Sequence, residues 1–432
     1  MRSLNLRSPI FQALILLMPF SFVIGFVPQM LFGVTVMTSV FENLLKFFFI
    51  GLAILFLILR IDSLSIKKAH FYWLILFSVY YLFYLFSALI WGVQEFGAFG
   101  DKSSNVIGEI FRLSSFLLIL LSISSFRLEY FNASLLLYGF VLLGYAFSLA
   151  AIYHAFTGVA GNEGRYVSGI LRAGSDVMDS NALGALLNLF VVLAASLLIY
   201  FRFRVEYFVL FILSVSARFL TFSTGSLIAM LICLLFMTAL YLKWASPRKR
   251  SIFLAVMIPS FFLLILYAVE SEIFEVLFYR AFLSDEYIYQ ASIGSRFEQY
   301  TGALSYLANN PNVLFLGAGA SYVPYITGTG YDIHNSLLRV LLVGGVVPFL
   351  AYGLIVSVAL KKSLAVIFSW WQKGPVTSVA FTGVNQANIF PVIQLGISLS
   401  FLGWFLQAMT LPADSSYIFL IYFSMYLLFS RK

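Results

Sequence analysis

Residues 331–345 read YDIHNSLLRVLLVGG, a histidine, an asparagine and an arginine at the lip of an apolar run that continues as VVPFLAYGLIVSVAL to residue 360. A run of that kind is either the core helix of a soluble domain or a segment solvated by lipid, and the rest of the chain decides between the two. Of 432 residues, 62% are hydrophobic, only 10% are charged and 48 are Phe, with a mean hydropathy of +0.97. Soluble domains carry about a quarter charged residues. The chain is therefore expected to be an all-α polytopic membrane protein, because the runs do not alternate as barrel strands would.

A hydrocarbon core of roughly 30 Å takes about 20 apolar residues per helix. On that measure about twelve spans are expected, near 11–29, 43–60, 72–92, 106–126, 134–154, 181–201, 205–222, 225–243, 252–269, 335–359, 385–407 and 414–430. The first run lacks a small-residue cleavage site and is expected to be retained. With a cytoplasmic N-terminus, Arg2, Arg7, the clusters at 60–68, 127, 202–204, 243–250 and 361–373, and Arg431-Lys432 all fall on one side. They hold 17 of the 26 Lys and Arg, so the positive-inside rule places both termini in the cytoplasm.

Nine basic residues remain. Lys46 and Arg112 fall in or beside spans, whereas Lys102, Arg165, Arg172, Arg218, Arg280, Arg296 and Arg339 lie in or next to the outer connections. Two readings stand for these. They pair with loop carboxylates such as Glu163, Asp176, Asp179 and Glu298, or they hold an anion on the outer face. Two outer loops are long enough for function, 155–180 and the much larger 270–333. Within the second, SRFEQYTGALSYLANNP sets Phe297, Tyr300, Leu304 and Leu307 at helical spacing and stops at Asn309-Asn310-Pro311. That predicts a short amphipathic helix on the membrane surface with Arg296 in its first turn. The glycine-rich LGAGASYVPYITGTG that follows is expected to be a loop whose backbone can approach something closely.

Asp332 is a candidate N-cap for the tenth span, which would put His334 and Asn335 in its first turn, beside free N–H groups and the positive end of the helix dipole. Arg339 falls one turn deeper on the face of Asn335. Such a place suits a pyrophosphate, held bidentately by arginine beside a histidine that exchanges protons near neutral pH. The plainer alternative is an interfacial histidine and a snorkelling arginine.

The order GRYVSGILRAGSDVMDSNALGALL (164–187), TFSTGS (221–226), GSRFEQYTGAL…NNPNVLFLGAGAS (294–321) and HNSLLRVLLVGG (334–345) resembles the bacterial O-antigen polymerase and O-antigen ligase superfamily, membrane glycosyltransferases of the Wzy and WaaL type. The resemblance covers roughly residues 160–350. It departs at Pro348, where a small residue or tyrosine is usual, and at Thr224, where an arginine is common, with Arg218 as a candidate substitute. On this basis the chain divides into N-terminal transmembrane helices (1–160), a polymerase- or ligase-like core with the periplasmic loop 270–333 (161–357), and C-terminal transmembrane helices (358–432).

The resemblance implies glycan transfer at the periplasmic face of the inner membrane, without a metal or other cofactor. The donor would be a glycan on undecaprenyl pyrophosphate. The acceptor would be a hydroxyl on a second lipid-linked repeat unit in a polymerase, the preferred form, or on lipid A core in a ligase. Membrane lipids and a chain-length regulator would be partners, and nucleic acid would not. Carried over by position, Arg296 matches the family's large-loop arginine, and Arg165 or Arg172 the arginines before the Asn181 helix, all assigned to the pyrophosphate. His334 would be the general base or position the acceptor, and Asn335 would orient it or the sugar. Arg280 and Arg339 would add phosphate contacts. Asp179 and Asn181 bind sugar or cap the sixth span.

Rival assignments rest on other residues. Glu270 with Glu272, and Asp285 with Glu286, offer carboxylates for a divalent cation. A transporter of lipid-linked glycans would share the many spans, but its usual paired halves and midplane charges are missing here, while charge gathers in asymmetric outer loops. Glu109 and Arg112 can pair within the fourth span. Cys233, the only cysteine, lies mid-span and forms no disulfide within the chain. His70 and His154 are expected to be structural, and no phosphate-binding loop of the GxxxxGK[ST] type occurs.

Overall fold

The computed structural model describes residues 14–59, 68–95, 114–123, 133–158, 166–174, 180–200, 204–254, 293–326, 333–374, 389–409 and 417–429, apart from 15, 16, 22, 33–35, 168, 169, 172, 249, 252, 253 and 320–322. The described chain is helical. The helices are α1 (Phe26–Phe32), α2 (Val36–Leu59), α3 (Lys68–Glu95), α4 (Ser114–Ile123), α5 (Ala133–Thr157), α6 (Ser180–Tyr200), α7 (Val205–Leu220), α8 (Thr224–Trp244), α9 (Ile293–Asn309), α10 (Pro311–Leu316), α11 (Val323–Ile326), α12 (Ser336–Gly344), α13 (Val346–Lys373), α14 (Ile389–Ala408) and α15 (Tyr417–Phe429). One small antiparallel hairpin, Tyr166–Val167 with Ile170–Leu171, precedes α6.

Among the described residues five helices are long and apolar enough to cross a membrane: α6, α13, α14, and the main parts of α5 and α8. This is a helical membrane protein. The expected span at 252–269 lies, apart from residue 254, outside the described residues. The expected first span, 11–29, is not one helix. A 3-10 turn at Met18–Phe20 and the short α1 take its place, because Pro19 and Pro28 have no N–H to donate and each can stand only near a helix start.

The centre of the bundle is α6. Every side chain from Leu183 to Leu197 is buried, a helix apolar all round that other helices must cover. It packs against α5, α7, α8 and α14, and the Tyr422 hydroxyl of α15 donates to its Ala185 carbonyl at 2.8 Å. Gly403 of α14 lies directly against Cys233 of α8, whose thiol donates to the Leu399 carbonyl at 3.0 Å. Small residues let these two helices close up where no hydrophobic effect drives them together.

Because α6, α7 and α8 follow one another antiparallel, the bundle has two distinguishable ends. At one, Tyr200 donates to the Met237 carbonyl at 3.0 Å and meets Trp370 with ring centroids 5.1 Å apart. Lys243 sits 4.3 Å from the Trp371 ring, and Arg204 pairs with Glu206 at 3.1 Å. Basic residues with tryptophans are the mark of a membrane interface. The other end gathers the starts of α6 and α8 and the end of α14.

At that second end the expected tenth span, 335–359, is two helices. Gly345 breaks it, with φ +85°, and a Cβ there would collide with the Phe315 carbonyl and meet the Gly317 nitrogen at 3.0 Å. The buried C-terminus of α12 would strand its last carbonyls, and nearby segments supply the donors. Leu341 O accepts from Gly345 N at 2.9 Å, Leu342 O from Ala318 N at 2.6 Å, and Val343 O from Gly319 N at 3.1 Å and from Ser87 Oγ at 2.5 Å. The glycine-rich loop does bring its backbone close to something, namely the end of α12. Pro348, in the first turn of α13, costs no helical bond.

Gly345→Ala is expected to lower stability by roughly 1–3 kcal/mol, seen as a reduced melting temperature in detergent. Gly353→Ala, mid-helix with nothing within 4 Å of a new Cβ, should leave it unchanged or raise it.

Candidate functional site

Three elements meet at the end of the bundle opposite the basic interface: the amphipathic α9, the turn into α12, and the C-terminus of α14. Helix α9 starts and stops as its sequence predicts, ending at Asn309 with α10 beginning at Pro311. Its orientation differs from the apolar stripe. Phe297 and Leu304 face outward, 68% and 56% exposed, while Gln299, Ala303 and Leu307 are buried and Arg296 and Tyr300 are half-buried beside them. Spacing of three and four puts Arg296, Gln299, Tyr300 and Ala303 on one face.

That face grips His334. The side-chain oxygen of Gln299, itself 1% exposed, lies 3.3 Å from the backbone N–H of His334 and 3.1 Å from its Nδ1. The Tyr300 hydroxyl donates to the His334 carbonyl at 2.6 Å. Ile333, one residue before, is fully buried.

The helix cap is Asn335, not Asp332, which lies outside the described residues. Asn335 has extended backbone, and its Oδ1 accepts from Leu338 N at 3.0 Å. Its Nδ2 donates to the carbonyl of Met409, just past α14, at 3.3 Å. His334 therefore precedes the helix instead of occupying its first turn. Both ends of the Asn335 amide are engaged by the protein, so the side chain secures the geometry of the turn.

The end of α14 also reaches α6. Gln407 Nε2 donates to the Asn181 carbonyl at 3.0 Å, so one helix terminus braces both the His334 turn and the start of the central helix. The hairpin at 166–171 is tied to the same end through Ala173, buried, whose N–H donates to the Leu220 carbonyl at 2.9 Å.

Electrostatics follow from burial. Burial pulls the pKa of Arg296 down and the neighbouring Tyr300 opposes that; a guanidinium has ample margin and stays cationic. Burial pushes the Tyr300 hydroxyl up, against Arg296 and the Asn335 hydrogen bond, so it remains a donor at neutral pH.

Arg339, four residues into α12, is 6% exposed and sits inside the bundle end. Arg218 is 1% exposed and is built into a turn. Its guanidinium donates to Thr221 Oγ1 at 3.0 Å and to the Ser223 carbonyl at 2.6 Å, bracing the link between α7 and α8 where Phe222 takes φ +47°. The guanidinium thus holds the backbone of this turn. Arg165, Arg172, Arg280, Asp179, the Glu109–Arg112 pair and the carboxylates at 270, 272, 285 and 286 lie outside the described residues. Among the described residues no three His, Cys, Asp or Glu side chains are grouped to hold a metal ion.

Residues 209–353, from α7 to the first turns of α13, match the family model described as O-antigen ligase. Over these residues the chain resembles the O-antigen ligase and polymerase superfamily. No curated protein matches the chain. The matched stretch contains Arg218, Arg296, Gln299, Tyr300, His334, Asn335, Arg339 and Gly345. The Asn181 and Gln407–Met409 supports of the same end fall outside it.

Gln299 escaped the sequence reading, which followed apolar residues along α9 and took Tyr300 only as one of them. Its signal was the spacing from Arg296, three residues on, which places it on the arginine's face.

Asn335→Ala removes the cap and the bond to Met409 and is expected to destabilise the protein by about 1 kcal/mol, read as a lower melting temperature in detergent. Asn335→Asp, which keeps a capping oxygen, should recover most of the loss.

Proposed function

We propose that the protein is a metal-independent glycan polymerase of the inner membrane. It transfers a glycan from undecaprenyl pyrophosphate to a sugar hydroxyl of a second lipid-linked repeat unit at the periplasmic face. The observation that carries this reading is the juxtaposition of His334 with the α9 face that bears Arg296, at the bundle end away from the basic, tryptophan-rich interface. The positive-inside rule makes that interface cytoplasmic and the site periplasmic.

In the transfer, the acceptor oxygen attacks the anomeric carbon from the side opposite the carrier. A new glycosidic C–O bond forms as the bond from that carbon to the pyrophosphate oxygen breaks. The acceptor proton passes to His334, and the carrier pyrophosphate leaves with the bonding electrons. The leaving group is already good, so the protein's work is to hold it, align the acceptor and take the proton. Arg296 is the principal pyrophosphate ligand, a permanent planar cation in a half-buried place where its charge is poorly screened. Arg165, Arg172, Arg280 and Arg339 supply further contacts to phosphate or sugar. Asn335 holds the turn that carries His334. The outward Phe297 and Leu304 of α9, with Phe315 and Leu316 exposed on α10, offer an apolar flank along which lipid carriers approach.

The ligase reading, with lipid A core as acceptor, is favoured by the description of the matched family. Donor chemistry is common to both, and the product separates them. In the native host, deletion of the gene is expected to leave single repeat units attached to the surface glycan without a ladder. Complete loss of attached glycan, with long chains retained on the carrier, would instead establish the ligase. Complementation with His334→Ala or Arg296→Ala is expected to restore no ladder although the protein inserts normally, whereas Arg204→Ala should complement fully. Full activity of the His334 variant would remove the base from this mechanism.

A further inference from the structure

We infer that Gln299 is a positioning residue that sets the tautomer of His334, so that Nε2 is the nitrogen presented to the acceptor hydroxyl. The inference rests on the function proposed above and deepens it at one atom.

The geometry leaves little freedom. A backbone N–H can only donate, so the Gln299 atom 3.3 Å from His334 N is the amide oxygen, whichever way amide nitrogen and oxygen would otherwise be assigned. That same oxygen is 3.1 Å from Nδ1, and because an amide oxygen only accepts, Nδ1 must carry the hydrogen. A neutral imidazole has one N–H. The lone pair is then on Nε2. The amide is buried, where losing a partner is costly, and Tyr300 fixes the His334 carbonyl at 2.6 Å from the next position along α9. Backbone N–H, backbone C=O and ring are held at once by two consecutive residues, which orients the ring before substrate arrives.

Choice of an amide also has a chemical consequence. A carboxylate at this place would stabilise the imidazolium and retain the proton, whereas a neutral oxygen orients the ring yet lets the proton leave for the next turnover. Arg296 is three residues before Gln299 on the same face, so the group assigned to the leaving pyrophosphate and the group aiming the base are set by one rigid helical turn.

The test uses the full-length protein in detergent, with lipid-linked glycan extracted from the host strain lacking this gene as substrate. Gln299→Met keeps the volume and removes the acceptor; it is expected to lower kcat roughly 10- to 100-fold with KM within about threefold. Gln299→Glu, which keeps an accepting oxygen but stabilises the imidazolium, should be faster than the Met variant and slower than the native protein. The double variant Gln299→Met/His334→Ala should be no slower than His334→Ala alone, because the glutamine acts through the histidine. Full activity of Gln299→Met beside an inactive His334→Ala would overturn the role of Gln299 and leave the proposed function standing, as would equal rates for the Met and Glu variants. An active His334→Ala would overturn both. A readout independent of turnover comes from 15N spectra of histidine-labelled protein, which has three histidines, the His334 signals being assigned by their loss in His334→Ala. Protonated Nδ1 with unprotonated Nε2 is expected, shifting toward a tautomer mixture in Gln299→Met, and the reverse tautomer in the native protein would overturn the inference.

Discussion

A helix that ends inside a packed apolar bundle leaves carbonyls that water does not reach, and the arrangement at the site depends on how α12 meets that constraint. Its C-terminal carbonyls at 341, 342 and 343 are satisfied by Gly345, by the backbone of Ala318 and Gly319, and by Ser87. Buried polar backbone is tolerated in such surroundings only when it is paired. The pairing permits a nine-residue helix, separate from the span that follows it. With its far end pinned, its near end is fixed too, and that near end carries Asn335 and His334.

The same economy of means recurs across the site. Asn335 caps a helix and binds α14, Tyr300 and Gln299 hold the backbone and ring of one histidine, and Arg218 secures a turn. Each of these polar side chains holds main chain in place. The side chains assigned to substrate, Arg296 and His334, stand half-buried on that scaffold, where charge interactions are stronger than in water and the ring orientation needs no reorganisation during reaction.

Spans were legible because about 20 consecutive apolar residues have few alternatives, as for Ser180–Tyr200 and Ile389–Ala408. The end of α9 was legible in Asn309-Asn310-Pro311 for an equally local reason. Its facing was not. In water the apolar stripe of a helix turns inward, but beside a membrane it can turn out, and here Phe297 and Leu304 do so while Gln299 goes in. The break at Gly345 was hidden because glycine is common within spans, and what makes it a break is Phe315 and Gly317, nearly thirty residues earlier. Asp332 was the expected cap, whereas Asn335 is the one used, and a contact with Met409, some seventy residues away, accompanies it. Local chemistry fixed which residue types gathered near 334, and distant contacts fixed their roles.

The C-terminus of α14 is joined to its neighbours by bonds that each end on an atom every residue possesses. Met409 and Asn181 accept with their carbonyl oxygens, so at these two positions the bond constrains the path of the chain and leaves the identity of the side chain open. A scaffold joined in this way can drift in sequence while its shape persists. On its accepting side the brace outside the matched stretch is thus written in the course of the backbone, where a comparison of side-chain letters has least to read.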